Sequence, residues 1–210
     1  MSTDILGTFI LAGGRSSRFG SDKARAMIHG QPLVLRLVQQ VASLTQRPVT
    51  LVVNEPQRYS DFAIPAITDV LPDLGPMGGL YSAIDHIVKG GHEGWILLLP
   101  CDLLDYDDVW HHRLCHPLET APPPAQAIAF FDQDWLPFPA LYHSTLFSNL
   151  NTAIQAKQFS PRKFLSTLGP AAIAVSTERL PELKSANTQQ ELERFLRDTA
   201  SFSSRHNLTQ

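Results

Sequence analysis

The stretch Leu11-Ala12-Gly13-Gly14-Arg15-Ser16-Ser17-Arg18-Phe19-Gly20-Ser21-Asp22-Lys23 decides how this chain is read. It follows an apolar run, Thr8-Phe9-Ile10-Leu11, and precedes a helical pattern that opens near Pro32. A glycine pair where a strand ends lets the backbone approach a ligand closely and turn its N–H groups toward an anion. Arg15, Arg18 and Lys23 bring cations to the same loop. That combination suits a triphosphate. Two other phosphate loops are excluded by spacing. A Walker loop needs Gly-x4-Gly-Lys-Ser/Thr, which the sequence lacks. A dinucleotide fingerprint needs Gly-x-Gly-x-x-Gly, whereas here two adjacent glycines are followed by none until Gly20.

Working outward, apolar runs alternate with helical patterns, which predicts a parallel α/β sheet. Pro32 suits a first helical position, and Leu33, Leu37, Val41 and Leu44 recur at helical spacing after it. Residues 49–53 are β-branched and read as a strand, and 64–68 as a shorter one. A helix is expected over 78–88, with Leu80, Ile84 and Ile87 on one face. Trp95-Ile96-Leu97-Leu98-Leu99 is continuously apolar, as a central strand covered on both faces should be. Pro122-Pro123-Pro124 marks a surface connection. Beyond it, strands are expected over 127–131 and 139–142 around the polar tip Asp132-Gln133-Asp134, and over 171–175. Helices are expected over 144–157 and 161–168. Thr188-Gln189-Gln190-Glu191 is a capping box, so a last helix should start there and carry Leu192, Phe195 and Leu196 inward.

The 210 residues suit one domain, with 43% hydrophobic and 18% charged residues, an ordinary globular balance. A formal net charge of -3 argues against a nucleic-acid protein, which would carry a basic domain or stripe. Cys101 and Cys115 form neither a disulfide framework nor a zinc motif. The N-terminus lacks the basic and apolar regions of a signal peptide, and no apolar run is long enough to span a bilayer. The expectation is a cytoplasmic protein without membrane or nucleic-acid partners.

Three further strings bear on a nucleotide site. Pro100-Cys101-Asp102 follows the most apolar strand, where open α/β sheets bind ligands. A carboxylate there is either a magnesium ligand or a helix cap, and position alone leaves both open. Asp69-Val70-Leu71-Pro72-Asp73-Leu74-Gly75-Pro76-Met77-Gly78-Gly79-Leu80 is a tight loop leading into a helix. Asn54 follows Val52-Val53 at a strand end, as a turn residue or a ligand contact. His111, His112 and His116 lack a third partner at metal-site spacing and read as a solvated helix face.

With these strings in view, the chain resembles the nucleotidyltransferases that act on sugar phosphates, cytidylyl acceptors and molybdopterin. Within that group, Arg18-Phe19-Gly20-Ser21-Asp22-Lys23 looks most like the molybdenum cofactor guanylyltransferases, with Phe19 where methionine is usual. The resemblance implies a three-layer α/β fold, a mostly parallel twisted sheet with helices on both faces. It implies one nucleotidyltransferase domain over residues 1–200, a nucleotide half to about 110 and an acceptor half beyond it, and a frayed tail over 201–210. The reaction implied is transfer of GMP from Mg-GTP to Mo-molybdopterin with release of pyrophosphate. Molybdoenzymes or other cofactor-assembly proteins are the implied partners.

Residue by residue, the resemblance makes Lys23 and Arg18 the groups that neutralise the triphosphate. Asp102, in the family's Pro-Cys-Asp string, becomes the magnesium ligand. The backbone of Leu11, Ala12, Gly13 and Gly14 takes the guanine end, and Asn54 and Asp69 are further nucleotide contacts. On the acceptor side it points to Ser185 and Asn187, while Gly78 and Gly79, at a helix start whose N–H groups can face an anion, and Arg162, a basic residue able to meet an acceptor phosphate, are candidates read from the residues themselves. Departures fall at Leu136, where histidine is frequent, at Ser185 for asparagine and at Gln189 for proline. All three lie in the acceptor half, so nucleotide and acceptor sites are expected to be separable. The alternatives are cytidylyl or other nucleotidyl transfer to a phosphorylated acceptor, and a non-enzymatic nucleotide-binding partner in molybdoenzyme assembly. Such a partner would be expected to lose Lys23 or Asp102, and both are present.

Overall fold

The structure, a computed structural model, describes residues 5–13, 19, 22–120, 125–178 and 183–206, without the side chains of 200–206. Seven strands make one sheet: β1 (Ile5–Leu11), β4 (Val49–Val53), β5 (Ala66–Thr68), β6 (Trp95–Pro100), β7 (Ala127–Asp132), β8 (Asp134–His143) and β9 (Ala172–Ser176). Their order is β5-β4-β1-β6-β8-β7-β9, and β8 alone runs against the rest. Among the described residues the α-helices are α1 (Leu33–Thr45), α2 (Pro76–Lys89), α3 (Asp108–Cys115), α4 (Phe147–Gln155), α5 (Pro161–Thr167) and α6 (Gln189–His206). The remaining strands, β2 (Met27–Ile28) and β3 (Gln31–Pro32), form a small separate hairpin.

The period of two along each strand sorts its side chains into two cores. Ile10, Leu51, Leu97 and Leu99 face α1 and α3, meeting Val34, Leu37, Val41, Trp110 and Leu114. Phe9, Val52, Ile96 and Leu98 face the other way, onto Met77, Leu80 and Ile84 of α2, Leu150 of α4 and Phe164 of α5. Both faces of the sheet are therefore covered, which is why β1, β4 and β6 are apolar at nearly every position. A third, smaller core joins Phe19, Ile28, Leu33, Leu104 and Ala186 to Leu192 and Phe195 of α6.

Strand order creates the crevice. The chain steps from β1 through α1 to β4 and on to β5, then crosses by α2 to β6 on the far side of β1. Connections thus leave β1 in opposite directions, the switch point at which open parallel sheets bind ligands beyond the C-terminal strand ends.

Three local expectations are corrected. Pro32 is not the first helical residue; its ψ of 137° is extended and it pairs with Met27 in the hairpin, so α1 starts at Leu33. That hairpin escapes a sequence reading because His29 and Gly30 fill its turn, both at positive φ (48° and 82°), where asparagine-glycine is the usual signal. Helix α2 begins at Pro76, ahead of the expected 78, with Gly78 and Gly79 inside its first turn. Strand β8 starts well before 139. Residues 137–139 have no β7 partner, because the register jumps from Ala129–Ala140 to Phe130–Leu136. The two prolines therefore sit where no ladder donor is needed. At the far end, α6 continues through His206, beyond the start of the expected frayed tail, and its expected start holds, with Thr188 Oγ1 capping Glu191 N at 3.2 Å.

Candidate functional site

Four strand ends deliver the candidate residues to one place. After β1, Ala12 N bonds Val52 O at 2.9 Å, and Cys101 N bonds Leu11 O at 3.1 Å, so Ala12 and Gly13 run between β4 and β6. Asn54 follows β4, Asp69 follows β5, and Asp102 follows β6. Together with Lys23 they line a cavity of about 500 Å³. Leu11, Ala12, Gly13, Lys23, Asn54, Asp69 and Asp102, expected from the sequence around a nucleotide, are thus brought together. Gly14 and Arg18 of the same expectation, and Arg15, lie outside the described residues.

Lys23 opens a short 3-10 turn (Lys23–Arg25) that Asp22 caps, its Oδ1 accepting from Ala24 N at 3.1 Å. The cap points the Lys23 side chain inward, where only 9% of the residue is exposed. Its ammonium donates to Asp102 Oδ2 at 3.0 Å and to Asn187 Oδ1 at 3.3 Å. A buried ammonium needs such partners, because desolvating an uncompensated charge is costly.

Asp69 is equally buried, and its Oδ1 accepts from Leu71 N at 2.9 Å. The Ser82 hydroxyl of α2 lies 2.9 Å from that same oxygen and accepts from Val70 N at 3.0 Å. Asp69 therefore ties the glycine- and proline-rich loop to α2. The loop's glycines answer to packing: a Cβ on Gly78 would stand 2.5 Å from Leu71 O and 3.0 Å from Asp69 Oδ2. One on Gly79 would stand 2.6 Å from Leu11 Cδ2. Gly79 lines the first cavity, and Gly78 packs against Asp69, which lines it too.

The other acceptor candidates divide. Ser185 bridges to Leu103, Ala186 N bonds Asp102 O at 2.9 Å, and Leu104 N bonds Lys184 O at 2.9 Å. This stitching brings Asn187 onto Lys23, which lines the first cavity. Arg162 is elsewhere. With Lys163, Ser160 and Ser166 it lines a second cavity of about 530 Å³, and its Nη1 lies 3.3 Å from Asp134 Oδ2. Pro76 lines both cavities, so they are neighbours across the start of α2.

Sequence reasoning missed three groups at the site. Tyr59, Asp73 and Cys101 line the cavity. Asp73 sits at φ 72°, an uncommon conformation for a non-glycine residue. Burial, reinforced by the Asp102 charge, pushes the Cys101 thiol up to about 12, which keeps it protonated. The histidines stay apart from the site: His112 and His116 stack on an exposed end of α3. Among the described residues no group of three or more His, Cys, Asp or Glu is disposed to hold a metal, and no helix is long and apolar enough to cross a membrane.

The chain is similar to proteins named molybdenum cofactor guanylyltransferase. One from Syntrophotalea carbinolica is 28% identical over 196 residues, covering 90% of this chain and 89% of that protein. Another, from Pseudomonas fluorescens, is 28% identical over 194 residues, covering 88% and 90%. The crystal structure of molybdopterin-guanine dinucleotide biosynthesis protein A from Archaeoglobus fulgidus superposes with a TM-score of 0.73 at 19% identity, over 93% of this chain and all of that one. This last likeness supports the fold alone. The family model described as the MobA-like NTP transferase domain matches residues 8–203, and the chain belongs to that family.

Proposed function

We propose that this protein transfers GMP from Mg-GTP to the terminal phosphate of Mo-molybdopterin, forming the guanine dinucleotide cofactor and pyrophosphate. The observation that carries the reading is the meeting of Lys23 and Asp102, 3.0 Å apart, at the crevice between the ends of β1, β4 and β6. An ammonium and a carboxylate on one wall match the two needs of a metal-bound triphosphate: a fixed cation for phosphate oxygens, and a hard oxygen donor for the metal.

An acceptor phosphate oxygen attacks the α-phosphorus in line, a new P–O bond forms, and the bond to the β-phosphate breaks to release pyrophosphate. The acceptor is already an anion, so no general base is required. The chain's share is positioning and charge stabilisation. Lys23 offsets charge on the triphosphate. The backbone at Leu11, Ala12 and Gly13 and the Asn54 amide carry donors and acceptors able to read a base edge, while Asp69 holds the loop that closes the cavity. Asp102 fits magnesium as its protein ligand, since magnesium taken with a nucleotide uses one or two carboxylates and otherwise phosphate and water oxygens. Magnesium bound there would neutralise phosphate charge and assist departure of pyrophosphate. The second cavity, with Arg162 and Lys163, is proposed for the anionic end of the acceptor.

Turnover with purified molybdopterin acceptor, scored by pyrophosphate release with GTP, CTP and ATP, tests the reading. GTP-dependent, magnesium-dependent release supports it. Release with CTP alone, or none with any nucleotide, overturns it.

A further inference from the structure

We infer that Tyr59 is the positioning residue that anchors Asp22, at the exit of the Leu11–Lys23 loop and beside its entry at Ala12, and thereby sets Lys23 at the cavity. The inference rests on the guanylyl-transfer reading above. Tyr59 lies in the connection between β4 and β5, far from that loop in sequence, yet only 3% of it is exposed and it lines the cavity. Its hydroxyl is 3.0 Å from Asp22 Oδ1 and 3.4 Å from Ala12 O. Ala12 enters the loop and Asp22 leaves it, so one hydroxyl spans both ends. The single phenolic proton belongs on the nearer, charged acceptor, where the bond is stronger than a neutral one.

The Asp22 carboxylate passes this constraint to the chemistry. Its Oδ1 also caps the turn that begins at Lys23, and its Oδ2 lies 3.4 Å from Arg58 Nε. Fixing that carboxylate fixes the first residue of the turn. The ring of Tyr59 is held in turn: it stacks on Phe62 at 6.0 Å, with the Arg58 and Arg25 guanidinium carbons 5.4 Å and 5.5 Å from its centroid. Arg25 is itself clamped to Asp61 by contacts of 2.7 Å to both carboxylate oxygens. Burial first, and then the Asp22 charge, push the phenol's pKa up, so it stays a donor throughout the working pH range. A ring alone would satisfy the packing. The hydroxyl, aimed at the loop's two ends, is what packing does not explain.

Tyr59→Phe in the full chain keeps the ring and removes the bond. Two measurements test the inference. Hydrogen exchange of the Ala24 and Arg25 amides should quicken about ten-fold, the scale of losing one charge-assisted bond, while the melting temperature stays within a few degrees. In steady-state kinetics kcat/KM for GTP should fall about ten-fold, with no further fall when Tyr59→Phe is added to Lys23→Ala, because a clasp that acts through Lys23 has nothing left to position. Unchanged exchange, or losses that multiply in full in the double variant, would overturn the role of Tyr59. A wild-type protein that turns over no nucleotide would instead overturn the guanylyl-transfer reading, and the exchange result would still decide the clasp.

Discussion

The side-chain amide of Asn54 fills the space into which a β-carbon on Gly13 would project. The ends of β1 and β4 approach so closely that any side chain at 13 excludes the present position of Asn54. Gly13→Ala should therefore turn Asn54 away from the cavity and weaken GTP binding about as much as Asn54→Ala does, on the order of ten-fold for one lost hydrogen bond. Stability should change little, since Asn54 is a terminal side chain at a strand end and can move. Calorimetric titration checks this: the double variant should bind no worse than the poorer single one, because both changes remove the same contact.

Much of this site is legible in the sequence because it is built from strand ends. Continuous apolar runs place β1, β4 and β6, and residues just beyond each run (Ala12, Asn54, Asp102) then fall at the crevice without knowledge of side-chain packing. Gly13, Gly78 and Gly79 are legible as close approaches, though what approaches them is not. What stays hidden is non-local. Nothing near Tyr59 marks it as a partner of Asp22, and nothing near Ser185 announces a bridge to Leu103. The start of β8 also escapes: the strand is expected only from Pro139, and the register jump that lets β8 run from Asp134 past Pro137 and Pro139 without a donor there is visible only in the pairing.

Lys23 and Asp102 are expected to separate in their effects. Lys23→Ala removes the charge proposed to contact phosphate, so GTP affinity should drop by about ten- to a hundred-fold, or roughly 1.5–3 kcal/mol. Asp102→Asn keeps the shape of the side chain and should cut turnover far more than nucleotide affinity. Measured across a magnesium titration, full turnover of Asp102→Asn at ordinary magnesium concentration would remove it from the role of metal ligand.

Both thiols should be sluggish. Burial raises Cys115 to about 11, and burial together with Asp102 raises Cys101 to about 12. The thiolate is the nucleophile, so at pH 8 alkylation should run ~100-fold or more below that of an ordinary exposed cysteine. Raising the pH should accelerate Cys115 before Cys101. Mass spectrometry of a timed labelling series reads both, and rapid modification of Cys101 in the folded protein would contradict its protonated state.

Acid should loosen the start of α6 before the core fails. Amide bonds from Asn187 and then Thr188, at 2.6 Å and 2.9 Å, hold the Glu191 carboxyl below its ordinary value. A carboxylate whose folded pKa is depressed adds stability that is present above the unfolded value and is lost as pH falls through the folded one. The loss therefore begins below about pH 4.5. Exchange of the Asn187 and Thr188 amides, followed downward from neutral pH, should quicken in that window, and Glu191→Gln should show the faster rate already at pH 7.

The same segment argues against independent nucleotide and acceptor sites. Ser185 is bridged to Leu103, Ala186 N bonds the carbonyl of Asp102, and Asn187 Oδ1 is 3.3 Å from the Lys23 ammonium. A residue expected to meet the acceptor therefore rests on the cation expected to meet GTP. Asn187→Ala should weaken GTP binding several-fold as well as slow transfer, because the Lys23 ammonium loses the amide oxygen that helps to hold it at the cavity. Ser185→Asn puts a longer amide into a backbone bridge beside Asp102, and it too should move both affinities. Titrations of GTP in the absence of acceptor separate the two models. A GTP affinity untouched by Asn187→Ala would restore the division into separable sites, whereas a several-fold loss with acceptor absent places the coupling at Lys23.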